Sequence, residues 1–142
     1  MRLGRLGFWV AALCATGTAL AADAALSAGL TCESPLEPAR IRCSLHISTG
    51  AETKVEWADA LVVSAPSFAL PLRARVPARL TAPNSEVDIP FGLVATSSGR
   101  GLLTVRARAL VCGPRRPLAP RCRTVQREAT LEVVVGREPA AI

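Results

Sequence analysis

Apolar and polar residues alternate one for one along most of this chain, and a period of two is the signature of strands with one buried face. In ARIRCSLHIS, residues 39–48, Ile41, Cys43, Leu45 and Ile47 share one face while Arg40, Arg42, Ser44 and His46 share the other. LPLRARV repeats the pattern, with Leu70, Leu72, Ala74 and Val76 expected inward and Arg73 and Arg75 outward. EVDIPFGLVA groups Val87, Ile89, Phe91 and Leu93, and LLTVRARALVC groups Leu103, Val105, Ala107, Ala109 and Val111 against Thr104, Arg106 and Arg108. ATLEVVV closes the series with Leu131, Val133 and Val135. A less regular strand runs through KVEWADALVV, where Val55, Trp57, Leu61 and Val63 are expected to face the core.

Turn signals separate these runs at Ser48–Gly50, Ala65–Ser67, Ala82–Ser85 and Ser97–Gly101. The SGRG segment, Ser98–Gly101, reads as a hairpin turn whose glycines supply positive φ. No segment holds a helical period. The expected fold is all-β, an immunoglobulin-like antiparallel β-sandwich of six or seven strands. Pro90 inside one strand points to an edge or a bulge, and Pro71 and Pro77 bracket another strand in the same way.

The first residues, MRLGRLGFWVAALCATGTALA, place Arg2 and Arg5 before an apolar run that closes on small residues, the pattern of a secretory signal peptide. Residues 1–21 are therefore expected to be removed, and 22–142 to form one β-sandwich domain with short disordered ends. Cleavage after Ala21 is favoured, with the Ala22-Asp23-Ala24 triplet as a second site. No stretch after the leader is apolar enough to span a membrane. The expected location is periplasmic or secreted.

Four cysteines follow the leader, Cys32, Cys43, Cys112 and Cys122, and an even number in an exported chain implies two disulfides. Local pairing joins Cys32–Cys43 and Cys112–Cys122. It suits the faces, because Cys112 and Cys122 both fall outward on neighbouring strands. The alternative joins Cys43 to Cys112 over Trp57, as immunoglobulin domains do, and needs one bulge to reverse the parity. With one histidine and no Cys-x-x-Cys spacing, no metal and no cofactor are expected.

Charge is uneven. Ala22 to Leu72 carries a net of −3, whereas Arg73 to Arg127 holds eleven arginines against Glu86 and Asp88. The outward arginines Arg73, Arg75, Arg106 and Arg108, with Arg115, Arg116, Arg121 and Arg123 around the second cysteine pair, form the candidate surface for an anionic partner. An exported chain with few aromatic residues is a poor nucleic-acid binder, so the expected partner is a protein or an anionic envelope component. His46 reads as a surface histidine, and Glu86 and Asp88 as polar cover on a solvated strand. No catalytic constellation is expected outside the cysteines.

The strand TVRARALVC, the proline-containing loop to a second cysteine and the strand ATLEVVV together resemble the end of the periplasmic N-terminal domain of the DsbD family of thiol-disulfide interchange proteins. The resemblance spans Leu102 to Val135 and implies an immunoglobulin-like sandwich. It also implies that Cys112 and Cys122 are a redox-active pair, taking electrons from a membrane domain and passing them to periplasmic partners. Two functions are thus expected of such a chain. The leading one is a small exported, non-catalytic module with a binding or structural role in a bacterial envelope. The alternative is a thiol-disulfide oxidoreductase working through Cys112 and Cys122.

Overall fold

The computed structural model describes residues 26–114, 117–118 and 121–137. The leader, Arg115 and Arg116 lie outside the described residues. The described residues form eight strands where six or seven are expected, the excess being the short pieces β4 and β5: β1 (Leu26–Cys32), β2 (Arg40–Thr49), β3 (Lys54–Ser64), β4 (Ala69–Pro71), β5 (Arg75–Pro77), β6 (Glu86–Ala95), β7 (Gly99–Cys112) and β8 (Cys122–Val135). They form two antiparallel four-stranded sheets, ordered β1-β2-β6-β4 and β5-β3-β7-β8. The described residues contain no helix, and none is long and apolar enough to cross a membrane.

A single apolar core is shared by both sheets, in a β-sandwich-like arrangement. The first sheet fills it with large side chains, Ile41, Leu45, Ile47, Ile89, Phe91 and Leu93, all buried. The second answers with a run of small ones: Ala58, Ala60, Ala107, Ala109 and Ala129. Large against small lets facing layers interdigitate at interior density. At the rim, Arg127 points inward from β8, and its Nε donates to the Leu26 carbonyl of β1 at 3.1 Å. An inward cation on an edge strand also discourages pairing with a further chain.

Three sequence expectations change. The LPLRARV segment is not one strand but two three-residue strands in different sheets. Leu72 N–H still bonds the Gly92 carbonyl of β6 at 2.9 Å, whereas the Ala74 carbonyl already accepts from Val62 of β3 at 2.8 Å. The chain changes sheets within two residues. Ala69 is therefore the buried residue, and Leu70 and Leu72 are 57% and 50% exposed rather than inward.

Trp57 also faces out. The register between β3 and β7 shifts between Val55 and Trp57, so one extra residue reverses the parity. Val55 keeps its inward position, but beyond the shift Ala58 and Ala60 enter the core and Val63 is exposed. Finally, Gly99–Gly101 begin β7 instead of forming a hairpin turn, because β6 and β7 belong to different sheets. These glycines serve close approach: a Cβ at Gly99 would lie 2.8 Å from Phe68 Cδ1, and one at Gly101 2.8 Å from Pro66 Cβ.

Pro90, expected at an edge or a bulge, lies in a strand that is inner overall but has no neighbour on its far side at this point. The bond from Thr49 N–H to the Ser85 carbonyl fixes the β2–β6 hydrogen-bonding phase, which turns the Pro90 nitrogen away from β2. On that other side β4 pairs only with Leu93–Ala95, so no ladder bond is lost. Pro90 sits where β6 is locally an edge.

Candidate functional site

Both disulfides join residues directly opposite each other on adjacent strands, Cys32 with Cys43 and Cys112 with Cys122. Each pair is of the type that exchanges no backbone hydrogen bonds, as the neighbouring bonds Glu33 N–H to Arg42 O and Gly113 N–H to Arg121 O show. Cα atoms approach most closely at such pairs, and here they are 4.1 and 4.0 Å apart. Cys43 lies in the core beside Phe91, its register partner, and Cys32 packs against the same cluster. Cys112 and Cys122 instead lie on the outer side of the second sheet, Cys112 buried and Cys122 half-buried. Lys54 stands opposite Cys112 on β3, and Arg121 Nε donates to the Gly113 carbonyl at 3.4 Å.

The most strongly bonded charges lie further along the same outer face. Asp59 follows the β3 bulge, sits between inward Ala58 and Ala60, and is nevertheless fully buried. Arg75 of β5 donates Nε to Oδ2 at 2.5 Å. Arg108 of β7 donates Nε to Oδ1 at 2.8 Å and its Nη2 to Oδ2, a two-pronged fork. Both guanidinium carbons lie 5.9 Å from the Trp57 ring centroid, within cation–π range. Burial pushes the Asp59 carboxyl up, but the bonds from Arg108 and Arg75 outweigh it and hold the group below the ordinary 3.8. The bond to Asp59 in turn raises Arg108. This clamp fastens the short strand β5 to β3 and β7.

The structure thus divides the arginines expected to form one basic face. Arg75 and Arg108 are held by Asp59. Arg106 pairs with Glu128 on β8 at 2.8 Å, and Arg100 with Glu132 at 3.2 Å. Arg121 and Arg123 flank Cys122, and Arg73 stands apart, beside the first sheet. His46 and Asp88, opposite each other on β2 and β6, are 2.7 Å apart and exposed. No group of three or more metal-ligating side chains occurs among the described residues.

Arg40, Arg42, Arg73 and Arg79 are exposed and make no ion pair with any described residue, as is also true of Arg121 and Arg137 elsewhere on the surface. Two adjoining grooves collect the first four. One, of about 500 Å³, lies between β5 and the open side of β6 and is lined by Arg73, Arg79, Val76 and Asp88. The other, of about 690 Å³, includes Arg40, Arg42 and Glu33, and the two share Leu72, Pro90, Phe91 and Gly92. Leu72 lies over Gly92, where a Cβ would come within 2.8 Å of Leu72 Cδ1. The sequence pattern places Arg40 and Arg42 outward but does not join them to Arg73, and it gives no sign of Arg79. Only the register could join them, because Arg42 meets Gly92 across the sheet and Gly92 meets Leu72.

No protein-family model matches the chain, and no curated protein matches it with significant similarity.

Proposed function

We propose that the chain is a small exported immunoglobulin-like module of a bacterial envelope that works by binding, without catalysis. The strand order supports the immunoglobulin-like reading. The β1-β2-β6-β4 sheet corresponds to ABED and β3-β7-β8 to CFG, with the short β5 added beside β3. Two disulfides suit an oxidising compartment. The observation that carries the binding reading is the gathering of Arg40, Arg42, Arg73 and Arg79 around shared grooves with no acid paired to them. Arginines kept only for folding would be expected to resemble Arg106 or Arg108, each committed to a carboxylate.

Retention on an immobilised polyanion, eluted with salt, tests this. Arg42→Ser with Arg73→Ser is expected to elute at distinctly lower salt, and Arg100→Ser with Arg106→Ser, which removes the same number of charges, close to the unaltered protein. Equal shifts for the two variants would show that net charge, and not this face, governs retention.

The thiol-disulfide reading keeps one observation in its favour: Lys54 stands opposite Cys112 on the same outer face, and positive charge favours thiolate. The two readings part on the midpoint potential of that bond. A structural staple titrates below about −300 mV in glutathione or dithiothreitol buffers, and a redox pair well above it. The burial of Cys112 supports the staple. A mild potential, with Cys32–Cys43 still intact, would replace the binding module by an oxidoreductase.

A further inference from the structure

The arginine grooves adjoin the part of the first sheet where two leucines face outward. Leu70 and Leu72 alternate out of the β4 segment at 57% and 50% exposure. They share the sheet's outer face with Arg40 and Arg42, through the pairs Arg40 with Val94, Val94 with Leu70, and Arg42 with Gly92. Most other positions of that face are small: Gly29, Thr31, Ser44, Pro90 and Gly92. Two acids, Asp88 and Glu33, line the grooves against the four cations, and Glu86 lies at the far end of β6 on the same face.

From this arrangement we propose that the outer face of the β1-β2-β6-β4 sheet docks on an anionic lipid surface. Leu70 and Leu72 enter the headgroup layer, and Arg40, Arg42, Arg73 and Arg79 meet lipid phosphates. The inference rests on the binding-module reading and names its partner. Apolar tips standing among unpaired guanidiniums match the boundary between headgroups and acyl chains, where the tips gain burial and the cations gain counter-charge. Guanidinium forks also suit phosphate oxygens better than a point charge does.

An acidic peptide added as a strand fits less well. The open side of β6 is the groove wall it would have to pair with, and Pro90 has no N–H to offer there. The Glu86 N–H is already taken by Asn84 Oδ1 at 3.2 Å. That leaves the Asp88 N–H as the one backbone donor on this stretch of the open side, too few for a paired strand, and favours a partner read by charge and apolar contact.

The test is co-sedimentation of the purified, oxidised protein with vesicles of phosphatidylglycerol mixed with phosphatidylcholine, and with phosphatidylcholine alone. Binding is expected only to the anionic vesicles and is expected to weaken as salt rises. Each arginine is worth about fivefold in partitioning. Arg42→Ser with Arg73→Ser should therefore cut binding about 25-fold on the same scale. Leu70→Ser with Leu72→Ser should cut it by about tenfold, and thermal melts of both variants should match the unaltered protein. No binding to anionic vesicles overturns lipid docking, as does binding that ignores the leucine replacements. Retention on the immobilised polyanion without vesicle binding rejects the lipid and leaves the binding module standing. Failure on both rejects the module as well.

Discussion

Replacing Arg75 and Arg108 together with alanine is expected to lower the free energy of unfolding by about 3–5 kcal/mol, read from urea denaturation. Few outward-facing arginines would matter so much. Asp59 is the reason: its side chain is fully buried on the outer face, and these two guanidiniums supply its hydrogen bonds. Without them a carboxylate stays in a site that water does not reach, and removing one side of a buried pair costs far more than the pair contributes. Adding Asp59→Ala to the double variant removes the stranded charge and should recover much of the loss. A double variant within about 1 kcal/mol of the parent would mean that Asp59 is solvated after all.

The same clamp gives stability a pH dependence of known sign. Asp59 is held below 3.8 in the folded protein, so its contribution is complete above that value and is lost as pH falls through the folded value. Asp59→Asn should flatten that part of the acid limb of a melting-temperature profile.

Loss of the inner disulfide is the second large effect. Cys32→Ala with Cys43→Ala opens a loop with a sequence separation of 11, worth about 3 kcal/mol in the chain-entropy model. It also empties space beside Phe91, adding roughly 1 kcal/mol. Together these should lower the Tm by roughly 15 °C. Cys112→Ala with Cys122→Ala opens a loop of separation 10 but leaves no hole in the shared core, so its cost should be the smaller. Thermal melts of the two oxidised double variants decide the order. The reverse order would place the tighter packing at the β7–β8 hairpin.

How much of this was legible depended on the range of the information. The inward sets of β2, β6 and β7 follow from local alternation, since Ile41, Val87 and Val105 have polar neighbours that leave one choice of face. The β3 bulge has no such signature. One extra residue at Glu56 turned Trp57 outward, and nothing in KVEWADA marks the place, because the shift is measured against β7 more than 50 residues away. Asp59 was hidden for the same reason: without the bulge it falls on the inward phase with Trp57 and Leu61, and only the shift turns it to the outer face where the two arginines enclose it.

The segment LPLRARV failed in a different way. Its alternation is real, but Pro71 and the crossing at Leu72–Ala74 divide it between sheets, so the expected inward leucines became an exposed pair. The arginine grooves inherit that difficulty. Arg40 and Arg42 come from a regular strand, Arg73 and Arg79 from the crossing and its exit, and sequence distance conceals their common edge.

The two halves of that surface differ in how firmly they are held. Arg40 and Arg42 ride on β2, central in its sheet and tied to β1 by a covalent bond one residue beyond Arg42. Arg73 and Arg79 flank β5, a three-residue strand in the segment that passes between the sheets. The Arg75–Asp59 bond pins β5 itself, but Arg73 and Arg79 lie outside it, in connecting residues of the kind whose local opening is least costly. A surface built this way has a fixed jaw and an adjustable one, able to keep its register on a partner while accommodating variation in the spacing of that partner's charges.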